Sequence, residues 1–142
     1  MFSEAVEAIG LASGIPGIAY SYTDFDRDGD LDVITLPFQG PAKIYRNNAR
    51  DNGANSIIFE LRDTSSNSHA YGAEVTIHTA LGAQIRELQM SGGYSSFDTP
   101  QIHFGLGDLD QIESVEILWP DGKKDQFKKP LTANAFYRIT RQ

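Results

Sequence analysis

The chain has 142 residues, of which 40% are hydrophobic, and it carries a formal net charge of −7 and no cysteine. This length and composition fit a globular protein of one domain, or of one domain with a small appended unit. The negative charge argues against a nucleic-acid partner, zero cysteines exclude disulfides and thiolate sites, and no apolar run is long enough for membrane insertion.

The first residues carry the only helical pattern in the sequence. It covers Glu4 to Ala12, and Gly10 and Gly14 are placed to end it. The same region has neither the basic segment nor the apolar segment of a signal peptide. We therefore expect either a protein that works inside the cell or a piece of a secreted parent.

Short β-type segments dominate the rest of the chain. Residues 17–22 precede an acidic loop, residues 31–36 follow it, and residues 44–46 form a third short strand. The polar stretch Asn47 to Asn55 reads as a linker or long loop. It predicts a unit at residues 1–54 and a second unit at residues 55–142.

The second unit also consists of predicted strands. Ile57, Phe59 and Leu61 alternate with other residues, so they should share one face of a strand. Gly82 lies between two strand-like runs, and Asp121-Gly122 lies between two more, so each pair predicts a hairpin. The predicted strands of this unit are residues 57–62, 75–78, 85–88, 102–104, 115–119, 124–127 and 136–139.

The acidic loop has carboxylates at alternate positions and a glycine at its sixth position, Gly29. The five carboxylates belong to Asp24, Asp26, Asp28, Asp30 and Asp32. Calcium takes six to eight oxygen ligands, and alternate residues of a tight loop can point inward together. We predict a calcium site with four side-chain ligands, in which Asp30 contributes its main-chain carbonyl. Thr35 stands at position 12 and a strand follows, so the loop is not an EF-hand.

The loop with its flanking strands and the segment Lys43 to Asn48 resembles an FG-GAP (VCBS-type) repeat. Such repeats are blades of β-propellers and bind calcium in a strand-loop-strand site, so the resemblance implies that the aspartates are ligands. The chain has room for one blade-like unit, and one blade cannot close a propeller. We expect the hairpin of residues 16–48 to complete a C-terminal sheet, or two chains to pair sheet edges as a homodimer.

Four stretches of residues 55–142 carry a second resemblance: Asn67 to Val75, Ser91 to Ser96, His103 to Gly107 and Val115 to Gly122. They resemble an ASPIC/UnbV domain. The resemblance implies adhesion or interaction roles outside the cell or in the periplasm, with no established reaction. We expect an all-β protein: a small β-sandwich or partly open barrel with an appended calcium-binding hairpin, a single propeller-blade-like unit.

Other conspicuous residues have structural interpretations. His69, His78 and His103 lack the spacing of a zinc site, and the last two should be packed or surface residues. Trp119 is in phase with Val115 and Ile117 and should be core. The lysines near the last hairpin predict a solvated edge. They are Lys123, Lys124, Lys128 and Lys129.

These observations favour a non-catalytic calcium-binding module that contacts a protein or glycan partner, with calcium in a structural role. The loops Asn67–Gly72 and Gly92–Asp98 are the candidate contact surfaces, although the paired glycines of the second also suit a tight connection. Two alternatives stay open: a metal-assisted hydrolase, and the C-terminal part of a larger propeller protein with a purely structural role. No catalytic residue is predicted, because the sequence lacks a nucleophile elbow.

Overall fold

The computed structural model describes residues 17–92 and 96–141, and every regular element within them is a β-strand. This confirms the all-β class, while the predicted helix at Glu4 to Ala12 lies outside the described residues. The strands are β1 (Gly17–Thr23), β2 (Asp32–Pro37), β3 (Lys43–Tyr45), β4 (Asn55–Arg62), β5 (Glu74–Thr79), β6 (Gly82–Glu87), β7 (Ile102–Gly107), β8 (Gln111–Ile112), β9 (Ser114–Leu118), β10 (Lys124–Phe127), β11 (Leu131–Thr132) and β12 (Ala135–Thr140).

The strands form four open sheets, with the orders β1-β2-β3, β10-β9-β5-β6, β12-β4-β7 and β11-β8. The sandwich or barrel, and the blade-like nature of the first sheet, stay predictions. The division between residues 1–54 and 55–142 also stays a prediction; it falls where β4 begins, at Asn55.

Both predicted hairpins of the second unit are confirmed. β5 pairs with β6 across Gly82, and β9 pairs with β10 across Gly122. Gly82 has φ 124° and Gly122 has φ 84°, backbone conformations that disfavour residues with a Cβ. Turn chemistry thus fixed these two strand pairs locally.

The pairing of β12 with β4 is parallel, and it joins the end of the chain to the strand that follows the linker. Parallel strands need a long crossover connection, so no local turn signal in the sequence predicts their pairing. A second pairing between distant segments joins the short strands β8 and β11, which the sequence pattern did not predict. Two residues are too few to show a period of two.

The core lies on the inner face of β4, where Ile57, Phe59 and Leu61 are fully buried. Side chains from β5, β7 and β9 belong to the same hydrophobic cluster. Trp119 is 1% exposed, and its indole N–H donates to Asp125 Oδ2 at 2.7 Å. The predicted core positions are therefore confirmed, and the four lysines of the predicted solvated edge are all exposed.

The outer face of β4 is buried as well, at Ser56, Ile58 and Glu60. Ile58 pairs with Phe136 of β12 and with His103 of β7, so these side chains share that face. A strand that is covered on both faces needs a second layer of structure over its outer side. At Ser56 that layer is the acidic loop.

Within residues 17–92 and 96–141, no strand of the first sheet pairs with a strand of another sheet. The hairpin therefore does not complete a C-terminal sheet; instead, side chains of β4 and β7 contact the acidic loop. Tyr20, Tyr22 and Ile44 are 44%, 41% and 53% exposed on this sheet. The homodimer through sheet edges stays a prediction. No helix in the described part of the chain is long and apolar enough to span a membrane.

Candidate metal centre

The acidic loop connects the antiparallel strands β1 and β2, which pair up to Thr23 and Asp32. Gly29 has φ 99°, and a Cβ added there would lie 3.1 Å from Ser56 Oγ. Arg27 also has a positive φ, of 62°. Two features of the turn predicted at position 6 therefore favour glycine. Its φ is positive, and the Ser56 side chain of β4 leaves little room for a Cβ.

Three of the five predicted ligands come together. Asp24, Asp26 and Asp28 each offer a carboxylate oxygen, and these oxygens lie within 4.8 Å of one another. Calcium binds oxygen at about 2.3–2.6 Å, so two ligands of one ion can be up to about 5 Å apart. The three carboxylates could therefore hold one metal ion.

Asp24 supplies independent evidence that a cation fits. Its Oδ2 accepts a hydrogen bond from the Gly29 N–H at 3.1 Å, whereas its buried Oδ1 has no partner among the described residues. Burial raises the pKa of the Asp24 carboxyl, and this outweighs the hydrogen bond from Gly29. A buried carboxylate oxygen without a partner is costly, and a bound cation would satisfy it.

Asp30 and Asp32 lie outside this group of three. The buried Asp30 carboxylate accepts the Arg50 N–H, in keeping with a side chain that is not itself a ligand. Asp32 is 1% exposed and accepts the N–H groups of Phe25 and Asn47, at 2.9 and 2.8 Å. The Asp32 carboxylate therefore joins the start of the loop to its end, and the Asp30 carboxylate fastens the loop to Arg50. That Asp32 also contributes a carboxylate oxygen to the ion, and Asp30 its main-chain carbonyl, stays a prediction.

Arg46 is the residue of this site that the sequence did not single out. Its guanidinium contacts Asp26 Oδ2 at 2.6 Å, Asp28 Oδ2 at 3.0 Å and Asp51 Oδ2 at 2.9 Å. The hydrogen bond from Arg46 lowers the pKa of Asp26, and the same contact raises the pKa of Arg46. The antiparallel pairing of β2 with β3 carries Arg46 beside the loop.

The main-chain carbonyl of Gly29 attaches the acidic loop to the second unit. Ser56 Oγ donates to it at 2.6 Å, and His103 Nε2 lies 2.9 Å from it. A carbonyl only accepts, so His103 must carry its proton on Nε2 for this bond. His103 is packed on its strand, as predicted, but its contact with the loop was not foreseen. His78 lies near Glu116 instead, with 3.5 Å between Nε2 and Oε1.

The second glycine-rich loop also approaches the first sheet. Asp98 Oδ1 accepts the Tyr22 N–H at 2.9 Å and the Ser21 hydroxyl at 3.0 Å. A Cβ at Gly92 would lie 1.7 Å from Asp98 Oδ2, so glycine makes room for this carboxylate. Residues 93–95 lie outside the described residues. The role of Gly92–Asp98 as a partner-binding surface stays a prediction.

The loop Asn67–Gly72 is closed by hydrogen bonds made by the side chain of its first residue. The Asn67 amide donates to the Tyr71 carbonyl at 2.8 Å and accepts the Tyr71 N–H at 3.0 Å. Ala70 is fully buried with φ 55°. Self-contained hydrogen bonding gives this loop a fixed shape, and its role as a contact surface stays a prediction.

Comparison with known proteins gives the family of the second unit. Residues 63–142 match the family model described as ASPIC and UnbV. Cartilage acidic protein 1 of Homo sapiens is 38% identical over 105 residues, which cover 71% of this chain and 15% of that protein. The Xenopus tropicalis protein of the same name is 33% identical over 111 residues, 75% of this chain and 17% of that protein.

The chain thus spans less than a fifth of the length of these relatives. Their aligned stretch is longer than the family match, so the similarity extends to the N-terminal side of residue 63. The likeness of the acidic loop to an FG-GAP repeat stays a prediction. By the match over residues 63–142, the chain belongs to the ASPIC and UnbV family.

Proposed function

We propose that this chain is a non-catalytic, calcium-binding interaction module, in which the ion holds the acidic loop in shape. One observation carries the proposal: a buried Asp24 oxygen, which has no partner among residues 17–92 and 96–141, stands beside the carboxylates of Asp26 and Asp28. Each of these features alone is common in proteins. Together they form a compact set of negative oxygens that a cation would satisfy.

The chemistry of the set favours calcium over other metals. All three side chains that converge offer oxygen, and hard cations prefer oxygen, whereas zinc and copper prefer nitrogen or sulfur. Calcium accepts the irregular, many-ligand geometry of a loop more readily than magnesium, which demands near-ideal octahedra. The resemblance to an FG-GAP repeat supports the same ion.

The proposed role of the ion is structural. A bound cation would neutralise part of the repulsion among the aspartates and so favour the loop conformation in which Gly29 reaches β4 and β7. Through the Gly29 carbonyl, this conformation is coupled to Ser56 and His103. Calcium would thereby stabilise the junction between the loop and the ASPIC and UnbV domain.

An interaction role rather than catalysis is supported by how the carboxylates are engaged. Arg46 contacts Oδ2 of both Asp26 and Asp28, and backbone N–H groups donate to Asp32. Catalytic metal sites keep an open position beside a free general base. The resemblance to adhesion and interaction domains supports a protein or glycan partner.

Calorimetric titration with calcium tests the metal site directly. We expect the unaltered chain to bind one calcium ion, and Asp24→Asn, which keeps the shape of the side chain, to weaken binding at least about tenfold. Glu113→Gln is the matched control, because it removes one exposed carboxylate elsewhere.

Thermal unfolding gives a second measurement of the same site. Calcium at 100 times its Kd should stabilise the chain by about 2.7 kcal/mol, and a chelator should abolish that gain. Identical melts in calcium and in chelator, together with no calorimetric signal, would contradict the proposal. Equal binding of magnesium would contradict the choice of calcium.

A further inference from the structure

A cleft of about 820 Å³ lies between the acidic loop and the outer face of the β12-β4-β7 sheet. Asp28 and Gly29 line its loop side, and Ile58 and Phe136 line its sheet side. The two walls meet where the Gly29 carbonyl contacts Ser56. The volume lies in the range of small-molecule sites, about 300–1,000 Å³.

The cleft is cationic in an otherwise acidic chain. Arg27, Arg50 and Arg138 line it together with Asp24 and Asp28. The chain as a whole has a net charge of −7, so three arginines in one cleft stand out. A divalent cation bound by the aspartates would make the excess of positive charge larger and attract an anionic ligand.

Arg138 is placed to bind such a ligand. Its Nε donates to Glu60 Oε2 at 2.7 Å, and its side chain is 62% exposed. A guanidinium has five N–H donors, and the Glu60 contact uses one. Glu60 thus orients Arg138, whose planar group can bind a carboxylate through two parallel hydrogen bonds.

Phe136 lies two residues before Arg138 on the same face of β12, and it is 48% exposed. A half-exposed aromatic ring in a polar cleft offers a flat apolar surface next to a charged group. Other polar side chains that can hydrogen-bond sugar hydroxyls line the same cleft. They are Thr23, Thr99, Gln101 and Asn134, while Ser56, whose proton goes to the Gly29 carbonyl, can only accept.

We propose that this cleft binds a carboxylate-bearing saccharide, with the carboxylate on Arg138 and the sugar ring against Phe136. The inference rests on the proposed calcium site, because the loop that the ion would hold forms one wall of the cleft. An acidic peptide is the weaker fit: a peptide strand needs apolar pockets for alternate side chains, and this lining is mostly polar.

The test uses the full chain in saturating calcium and measures Kd by calorimetry for tetragalacturonate and for its methyl ester. The ester keeps every ring and hydroxyl but removes the charge. We expect the ester to bind at least about tenfold more weakly, since bidentate charged hydrogen bonds to arginine are lost. Equal binding of ester and acid would overturn the proposal, as would equal or tighter binding of a tetraglutamate peptide.

Two variants locate the site. Phe136→Ala and Arg138→Gln should each raise the Kd for tetragalacturonate at least about tenfold. Phe127→Ala, an exposed phenylalanine of β10, should leave its Kd unchanged. A thermal melt and a calcium titration of each variant check that the fold and the ion site persist. Unchanged saccharide binding in both cleft variants would overturn the assignment.

The two proposals fail in different ways. If calcium binds and tetragalacturonate does not, the saccharide site is wrong and the calcium site stands. If tetragalacturonate binds equally well in chelator, the cleft binds saccharide but its dependence on the ion is wrong. Absence of calcium binding in the unaltered chain contradicts the proposed function itself.

Discussion

His103 Nε2 lies 2.9 Å from the carbonyl oxygen of Gly29, so a strand of the ASPIC and UnbV domain contacts the sixth residue of the acidic loop. The two residues are 74 positions apart in sequence. With Ser56, this contact makes the geometry of the loop depend on the fold of the second unit. The loop and the domain should therefore respond together to changes in either.

His103→Leu removes this donor and leaves the Gly29 carbonyl with Ser56 alone. We expect a loss of about 1 kcal/mol in the free energy of unfolding and weaker calcium binding, because a partly buried hydrogen bond is lost. His103→Gln, which can still donate, should lose less. Urea unfolding and calcium titration measure both effects. His78→Leu, on β5, is the control, and an equal loss of calcium affinity there would contradict the coupling.

Gly29→Ala should destabilise the chain by about 1–3 kcal/mol, because its φ of 99° disfavours any Cβ and the added carbon would crowd Ser56 Oγ. Gly105→Ala, in β7, is the matched control, since nothing lies within 4 Å of its added Cβ. It should change stability by no more than about 0.5 kcal/mol. Equal losses in the two variants would show that the Gly29 turn is not strained by a side chain.

Arg46→Gln removes the positive charge that faces Asp26, Asp28 and Asp51. In chelator the variant should melt at a lower temperature than the unaltered chain, because the acids then repel one another. In calcium the difference should shrink, since the ion replaces the lost charge. Calcium affinity should rise, by less than about tenfold, because exposed ion pairs are weak.

Lys128→Gln, which removes an exposed lysine of the last hairpin, is the control for net charge. Both variants are measured by thermal melts in calcium and in chelator, and by calcium titration. A calcium affinity that falls in Arg46→Gln would indicate that Arg46 supports the ligands rather than competing with the ion.

Acid should destabilise the chain through two carboxylates that Arg141 holds. A backbone hydrogen bond from Ser65, with Arg141 next, lowers the pKa of Asp63, and the hydrogen bond from Arg141 lowers that of Asp121. Both folded-state pKa values are below the ordinary 3.8. The folded state therefore binds fewer protons, and the contribution to stability is complete above 3.8 and is lost as pH falls below it.

Urea midpoints measured between about pH 2 and pH 7 check this dependence. We expect a steeper fall below about pH 4 in the unaltered chain than in Arg141→Gln. Arg141 also stacks over Trp119, with its guanidinium carbon 5.3 Å from the ring centroid, so the variant will be less stable at every pH. The prediction concerns the slope, and identical slopes would contradict it.

The parts of this protein that the sequence determined are those decided between near neighbours. Alternating aspartates around Gly29 gave the candidate metal site, because a tight loop brings alternate side chains together. Alternation along β4 gave its core face, and Gly82 and Gly122 gave the two hairpins. Loop spacing, strand alternation and turn glycines each involve only a few neighbouring residues, so they can be recognised without knowing the tertiary structure.

Tertiary structure alone decided the remainder. Arg46 reaches the aspartates because β3 pairs with β2, and His103 reaches Gly29 because β7 pairs with β4. The parallel pairing of β12 with β4 brings Phe136 and Arg138 to the wall of the cleft. These contacts depend on which strands lie side by side, and that choice follows from burying one shared core, which no short stretch of sequence encodes.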